Sequence, residues 1–263
     1  MKQEMQEHVA IIIQARMGSA RLPGKVLEDI VGRPMLAHII QRAQKSPADT
    51  IVIATTDQPQ DAPIVELAQR YGVNVFRGSE HNLLDRYYNA AMEINADIIV
   101  RYTADNPFVD PEITCLMLSE LQAHRDLDYI CNFYPPTWPI GLNQEAMRMN
   151  ALAKAWKEAR TDYAREHVNP YFLNNPDIFS IYNLTNGKDL SDLRLTVDYP
   201  EDLEVARTIY ENLYHEEVVP LQDILVFLAE NKDLSEKNAH YVQKIIVNKQ
   251  KQDYQNETSN SYQ

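Results

Sequence analysis

The chain has 263 residues, 44% hydrophobic and 24% charged, ordinary values for a folded globular protein and not those of a disordered or fibrous one. Its 38 acidic and 25 basic residues leave a formal net charge of −13. A field of that sign repels phosphate backbones and excludes bulk nucleic-acid binding, so an anionic ligand needs a local basic pocket. Cys115 and Cys131 are too few for a disulfide framework or a multi-cysteine zinc site, and both read as small core residues. The N-terminal residues are polar, and no apolar stretch approaches ~20 residues. The expectation is a cytoplasmic protein with no membrane segment.

In chain order, residues 9–14 (VAIIIQ) form a short continuous apolar run, the pattern of a strand buried on both faces. Residues 34–45 place Met35, Ile39, Ile40 and Ala43 at helical spacing, with Pro34 at the start. A strand over 51–55, a helix over 61–71 ending at Gly72, a strand over 73–76 and a helix over 83–94 follow. A strand over 97–102, a helix over 111–124 and a strand over 129–132 complete the alternation. Such alternation predicts an α/β fold, a mostly parallel sheet flanked by helices.

The second half breaks the rhythm. Residues 133–142 hold three prolines and a glycine and read as a loop or arm. Helices are expected over 150–159, 163–173, 199–214, 220–230 and 238–247, with strands over 179–184 and 193–197. Residues 248–263 are polar without apolar periodicity and read as a disordered tail. A single domain over 1–247, with an arm at about 133–190, is the expected organisation.

The most informative stretch is Gln14-Ala15-Arg16-Met17-Gly18-Ser19-Ala20-Arg21-Leu22-Pro23-Gly24-Lys25, directly after the first strand. Glycines let backbone N–H groups approach an anion, and Arg16, Arg21 and Lys25 add charge suited to a triphosphate. In an open α/β sheet, ligands bind beyond the carboxyl ends of the strands, where this loop sits. It is not a P-loop, because five residues separate Gly18 from Gly24 and Val26 follows Lys25. Nor does it have the G-x-G-x-x-G spacing of a dinucleotide site.

This twelve-residue loop resembles the signature of the cytidylyltransferases that make CMP-activated sugars, the CMP-Kdo and CMP-acylneuraminate synthetases. The resemblance is closest to the branch named for spore coat polysaccharide biosynthesis protein F, and it runs from about residue 9 to about 214. It implies a nucleotide-diphospho-sugar transferase (GT-A, Rossmann-like) fold, Mg²⁺ as cofactor, and CTP and a sugar as substrates, with release of pyrophosphate. It places Gln14, Ala15, Gly18 and Ser19 against the nucleotide. By analogy with relatives that dimerise through the arm after the fifth strand, it also implies a homodimer.

Asp105 follows the fourth strand, at an end facing the basic loop, and is placed to hold Mg²⁺ on phosphate oxygens. Its other reading is an Asx-turn or helix cap before Pro107. The resemblance supports the metal role, with Ala104 where glycine is usual. Asp198 alone reads as an N-cap; the resemblance makes it the second metal ligand. Arg86, in Leu83-Leu84-Asp85-Arg86-Tyr87-Tyr88, resembles a nucleotide-contacting arginine, or is an ordinary i,i+3 ion-pair member. Ala54-Thr55-Thr56-Asp57 resembles an element near the nucleotide, and Asp57 equally suits a turn. Pro139-Ile140-Gly141-Leu142-Asn143-Gln144-Glu145 resembles a branch motif that the acceptor would meet, with Asn143 and Gln144 departing from it. Arg165-Glu166-His167-Val168-Asn169-Pro170-Tyr171 also matches the branch, with His167 either a substrate contact or a structural histidine. Two other functions stay open: a glycosyltransferase of similar topology, whose usual D-x-D metal motif Asp126-Leu127-Asp128 matches in spacing but at the wrong edge, before a strand, and a non-catalytic sugar-nucleotide binding subunit, against which Asp105 and Asp198 argue.

Overall fold

Apart from Gln14, the run 9–14 carries no polar side chain, and it forms the central strand β1 (Val9–Gln14) of the computed structural model, which describes residues 6–241. Val9, Ile11 and Ile13 enter one core, and Ala10 and Ile12 the other. That is the period-two alternation of a strand covered on both faces. A hairpin, β2 (Asp29–Ile30) and β3 (Arg33–Pro34), leads into α1 (Met35–Gln44). Then come β4 (Thr50–Thr56), α2 (Ala62–Arg70), β5 (Asn74–Gly78), α3 (Leu83–Glu93), β6 (Ile98–Thr103) and α4 (Pro111–Ala123). They are followed by β7 (Tyr129–Cys131), β8 (Glu145–Arg148), α5 (Met149–Glu158), α6 (Asp162–His167), α7 (Asn169–Leu173) and β9 (Ile181–Asn183). Helices α8 (Pro200–Leu213), α9 (Leu221–Glu230) and α10 (Lys232–Glu236) complete the described chain.

The seven-stranded sheet has the order β5-β4-β1-β6-β8-β7-β9. Strands β5, β4, β1 and β6 run parallel, β8 is antiparallel to both of its neighbours, and β7 and β9 are parallel. Helices α1, α2, α4, α8 and α9 pack one face, and α3, α5, α6 and α7 the other. The expected mostly parallel α/β fold is therefore present. From β1 the chain builds outward through β4 and β5, and from β6 it builds the opposite way. The order reverses between β1 and β6, so a crevice opens beyond Gln14 and Thr103.

Several segments differ from the sequence expectation. Strand β8 was hidden because Glu145 and Arg148 give it a polar pattern; Glu145 lies directly opposite Arg101 of β6 and pairs with it. The span 133–190 is accordingly not one arm, since β8 is an inner strand and α5 packs against α3. Residues 193–197 form no regular strand and make a single bridge, Ile140 to Arg194. The helix expected over 163–173 is two helices broken at Val168, whose φ is 64°, just before Pro170, which lacks an N–H. Cys115 is exposed and Cys131 buried; the α4 residues that pack inward, Ile113, Met117, Leu118 and Leu121, leave Cys115 on the outer side. Residues 238–241 form no helix; the rest of the helix expected to 247, and the tail expected over 248–263, lie outside the described residues. Among the described residues no helix is long and apolar enough to cross a membrane.

One buried group makes stability depend on pH. His38 of α1 is 1% exposed and bonds the Ile30 carbonyl at 2.9 Å. Burial pushes its imidazole down to about 4, reinforced by Arg33 and Arg42 and opposed by the Ile30 bond. In the unfolded chain a histidine titrates near ~6.5. The unfolded state therefore takes up a proton that the folded state refuses, and stability falls as pH drops from ~6.5 towards 4. A His38→Gln variant, followed by calorimetric melting between pH 7 and pH 4, should lose Tm less steeply than wild type. Parallel curves would remove His38 as the cause.

Candidate active site

The loop after β1 is held from below by a buried carboxylate. Asp61, fully buried, accepts the Met17 N–H at 2.7 Å and the Thr56 hydroxyl. The Met17 carbonyl in turn accepts the N–H groups of Ser19 at 2.9 Å and Gly24 at 3.0 Å. Gly24 has φ 75°, a left-handed conformation that glycine adopts without steric cost. Its N–H is thus spent on closing the loop. The amides of Arg16, Gly18, Ala20 and Arg21 donate to no acceptor among the described residues, and these are the groups the loop can offer an anion.

Lys25 is 8% exposed, and its ammonium uses all three donors. It donates to the Val197 carbonyl at 2.7 Å, to Asp198 Oδ1 at 2.8 Å and to Asp105 Oδ2 at 3.4 Å. Arg21 pairs with the other oxygen of Asp198 at 2.7 Å. Burial disfavours the charged Asp198 carboxylate, but Lys25 and Arg21 outweigh it and hold the group below the usual carboxylate range. The hydrogen bond to Asp198 in turn raises Arg21 above its ordinary value, against its own desolvation.

The two carboxylates come together because their segments are stitched. Val197 N–H and Thr196 Oγ1 both donate to the Asp105 carbonyl, at 2.8 and 3.2 Å. Thr103 Oγ1 donates to Asp105 Oδ1 at 2.5 Å. Gly141 lets the preceding loop press against the same segment: it has φ 101°, and a Cβ there would lie 2.4 Å from the Thr196 nitrogen. Two carboxylate oxygens thus converge on one cationic atom. Mg²⁺ takes one or two carboxylates and completes its shell with phosphate and water, so Asp105 and Asp198 fit that donor set. Among the described residues, no group of three or more His, Cys, Asp or Glu side chains could hold a metal ion.

A cleft of about 530 Å³ opens above this junction, walled by the loop, the end of β6 and the end of α6. Arg16, Arg21, Lys25, Arg86 and Arg101 line it, against Glu80, Asp105, Glu166 and Asp198. In a chain this acidic, that is a local excess of positive charge. Arg101, partly buried, pairs with the buried Glu145, which also accepts the Tyr129 hydroxyl. Burial opposes its charge, but Glu145 keeps it above its ordinary value. Arg101 Nε and the Tyr87 hydroxyl fix Gln14 Oε1 at 2.9 and 3.3 Å. Arg86, 3% exposed, donates to the Ser79 carbonyl, and its Nε has no partner among the described residues. A buried unsatisfied donor costs roughly 1–3 kcal/mol, more when charged. His167, exposed on its outer side, lines the far wall, where partial desolvation holds its imidazole below the ordinary value, opposed by Glu166.

Gln14, Ala15, Arg16, Gly18, Ser19, Arg21, Lys25, Arg86, Asp105 and Asp198 all line this one cleft. The simpler readings of three of them do not hold. Asp198 is not an N-cap, since Tyr199 occupies that position of α8. Asp105 caps no helix; Asp110 does so for α4. Arg86 forms no ion pair on its helix. Asp57 is exposed and bonds only Gln58 through its side chain. Asn143 accepts the Gly141 N–H, while Gln144 is 1% exposed and bonds Thr114 and the Asp110 carbonyl. Neither lines the cleft, so their departures from the motif concern packing. Asp128 accepts the Ser180 N–H before β7, away from the cleft. Sequence reasoning missed Asp61, Glu80 and Arg101; the one accessible signal was an arginine inside the apolar run of β6.

Comparison with known proteins follows this geometry. A family model described as Cytidylyltransferase matches residues 10–256. An uncharacterized protein of Methanocaldococcus jannaschii is 38% identical over 236 residues, 89% of this chain and 95% of that protein. The spore coat polysaccharide biosynthesis protein SpsF of Bacillus subtilis is 34% identical over 237 residues, 86% of this chain and 95% of that protein. The solved structure of a cytidylyltransferase from Leptospira borgpetersenii has a TM-score of 0.84 and 33% identity, covering 88% of this chain and 97% of that one.

The Asp198 junction has a pH signature of its own. Stability from a depressed carboxylate is present above its unfolded pKa, about 3.9, and is lost as pH falls through the lower folded value. Asp198→Asn should therefore melt below wild type at pH 7, with the gap closing below about pH 4. Coincident melting at pH 7 would show that the junction contributes no stability.

Proposed function

The chain belongs to the cytidylyltransferase family, and on that premise we propose that it transfers CMP from CTP to a sugar, with Mg²⁺, releasing pyrophosphate. The similarity to a spore coat polysaccharide biosynthesis protein supports a product destined for surface or spore coat polysaccharide, made in the cytoplasm. The observation that carries the reading is the convergence of Asp105 and Asp198 on one cation beside the basic loop, at the switch point of the sheet.

In this reaction a sugar hydroxyl attacks the α-phosphorus of CTP in line, forming the new P–O bond as its proton passes to solvent. The bond to the β-phosphate breaks, and pyrophosphate leaves with the electron pair. Mg²⁺, when bound, neutralises phosphate oxygens and polarises the reacting phosphoryl group. The chain supplies position and charge. Asp105 and Asp198 are the residues that would hold the metal. Arg16, Arg21 and the free loop amides meet the triphosphate, and Lys25 follows when its carboxylates are otherwise neutralised. Arg86 has an unsatisfied donor for the nucleotide, and the Gln14 amide is oriented for it through Arg101 and Tyr87.

Asp105→Asn should reduce pyrophosphate release from CTP and acceptor by ~10²–10³ while the fold survives. Near-wild-type release would remove Asp105 from the site. Lys25→Met should weaken CTP by about ten- to a hundred-fold in titration calorimetry, the worth of a charge-assisted bond, with little effect on cytidine. Equal loss for both ligands would place Lys25 outside phosphate binding.

A further inference from the structure

The Asp198 side of the cleft is completed by residues beyond α10. Asn238 is 1% exposed, and its Nδ2 donates to Asp202 Oδ1 at 2.9 Å and to the Arg194 carbonyl at 3.2 Å. Asp202 is itself 1% exposed and holds Arg194 through both oxygens, each at 2.8 Å. Its Oδ2 also accepts the N–H groups of Asp198 at 2.9 Å and Tyr199 at 3.0 Å. Asn238 thus touches the carboxylate that fixes the backbone of Asp198.

A second contact starts three residues later. The Tyr241 ring stacks on Tyr199 at 3.9 Å, with 4° between the planes, and its hydroxyl donates to Glu201 at 2.9 Å. The Arg21 guanidinium lies 5.1 Å from the centre of the same Tyr199 ring, within reach of cation–π attraction. Arg194 lies 5.9 and 5.8 Å from the Tyr199 and Tyr241 rings. Both cleft residues that pair with each other, Asp198 and Arg21, are therefore backed by the same short stretch of chain.

We propose that residues 238–241 are a positioning clamp for the cleft: Asn238 sets Asp198 through Asp202, and Tyr241 sets Arg21 through Tyr199. What the clamp serves rests on the cytidylyltransferase reading; the contacts do not. Asp202 accepts four donors on Asp198, Tyr199 and Arg194, and Asn238 adds a fifth from outside that segment. Without it, Asp202 loses one of its five donors, and the turn at 198–199 that it organises is held less tightly from this side. Tyr241 gives the Tyr199 ring a second aromatic face and so limits where Arg21 can rest. Neither residue lines the cleft, so both act through others.

The test uses the full chain with Asn238→Ala, Tyr241→Ala and Tyr241→Phe. In ligand-free hydrogen exchange, Asn238→Ala should speed exchange of the amides at 198 and 199 by about tenfold, the worth of one hydrogen bond, and leave β1 and β6 unchanged. In calorimetry with Mg²⁺, both alanine variants should bind CTP about tenfold more weakly. Tyr241→Phe keeps the ring and should bind as wild type does. In an Asp198→Asn background, Asn238→Ala should add no further loss, whereas general loosening would add its full effect. Wild-type exchange at 198 and 199 together with unchanged CTP affinity in both alanine variants overturns the clamp. Additive loss in the double variant overturns it as well. If wild type binds no CTP, the cytidylyltransferase reading fails, and the exchange data still decide the clamp.

Discussion

One buried ammonium holds the functional end of this protein together. Two carboxylates that reach one atom, as those of Asp105 and Asp198 do, repel each other unless a cation lies between them. A buried lysine is in turn tolerated only with partners. Lys25 resolves both constraints at once, with Val197 supplying its third acceptor. Since the partners come from distant parts of the chain, each has to be delivered separately. Asp61 ties down the loop that carries Lys25, β6 delivers Asp105, and the Gly141 contact presses the 195–198 segment into place. Under the proposed reaction a divalent cation competes with Lys25 for the same oxygens, so the lysine keeps the pair assembled until the nucleotide brings other positive charge.

The arginines of the interior and of the cleft wall differ in how fully their charge is compensated. Arg194 has Asp202, and Arg101 has Glu145. Arg42 has no carboxylate partner among the described residues but donates to the carbonyls of Val109 and Val219 and to the Tyr210 hydroxyl, so it joins loops deep in one core. Removing one partner of such a buried charge costs several kcal/mol, about 3–5, because the other is left uncompensated. Arg86 is different. It has one carbonyl, an unsatisfied Nε and a place in the cleft wall. Under the proposed reaction, the acceptor that this guanidinium lacks would come from the nucleotide.

Much of this was legible in the sequence because the first half is locally consistent. Continuous apolar strands and capped, periodic helices leave few alternatives, and the basic loop falls at the carboxyl end of the first strand. The site residues quoted from the loop, from Asp105 and from Asp198 lie in one cleft. The rest was illegible for identifiable reasons. Strand β8 carries a glutamate whose justification, Arg101, lies on another strand, so no local pattern reveals it. Asp198 looks like a helix cap because it stands beside one; its carboxylate is diverted by Lys25 and Arg21, which no spacing rule connects to it. Gln144 looks like a specificity change and is a buried hydrogen-bonding residue. Asp61 was overlooked in favour of Asp57, four residues earlier, because which of two nearby aspartates turns inward depends on the packing of the short turn at Pro59–Asp61.

The acidity of the chain and the basicity of the cleft belong to one arrangement. A net charge of −13 opposes the approach of any polyanion over most of the surface. Inside the cleft, five cations face four carboxylates, and two of those carboxylates are already neutralised at the Lys25 and Arg21 junction. Low-dielectric walls concentrate what remains, so the attraction is strong only within a few ångströms of the floor and fades beyond about a Debye length, ~8 Å in physiological salt. A long phosphate backbone would gain that attraction at one point and meet repulsion along the rest of its length. A compact ligand that fits a cleft of about 530 Å³ meets only the attractive part. Under the proposed reaction, such a distribution of charge favours a small anion over a long polyanion, and the carboxylate pair at the floor fixes where its charge must be shared.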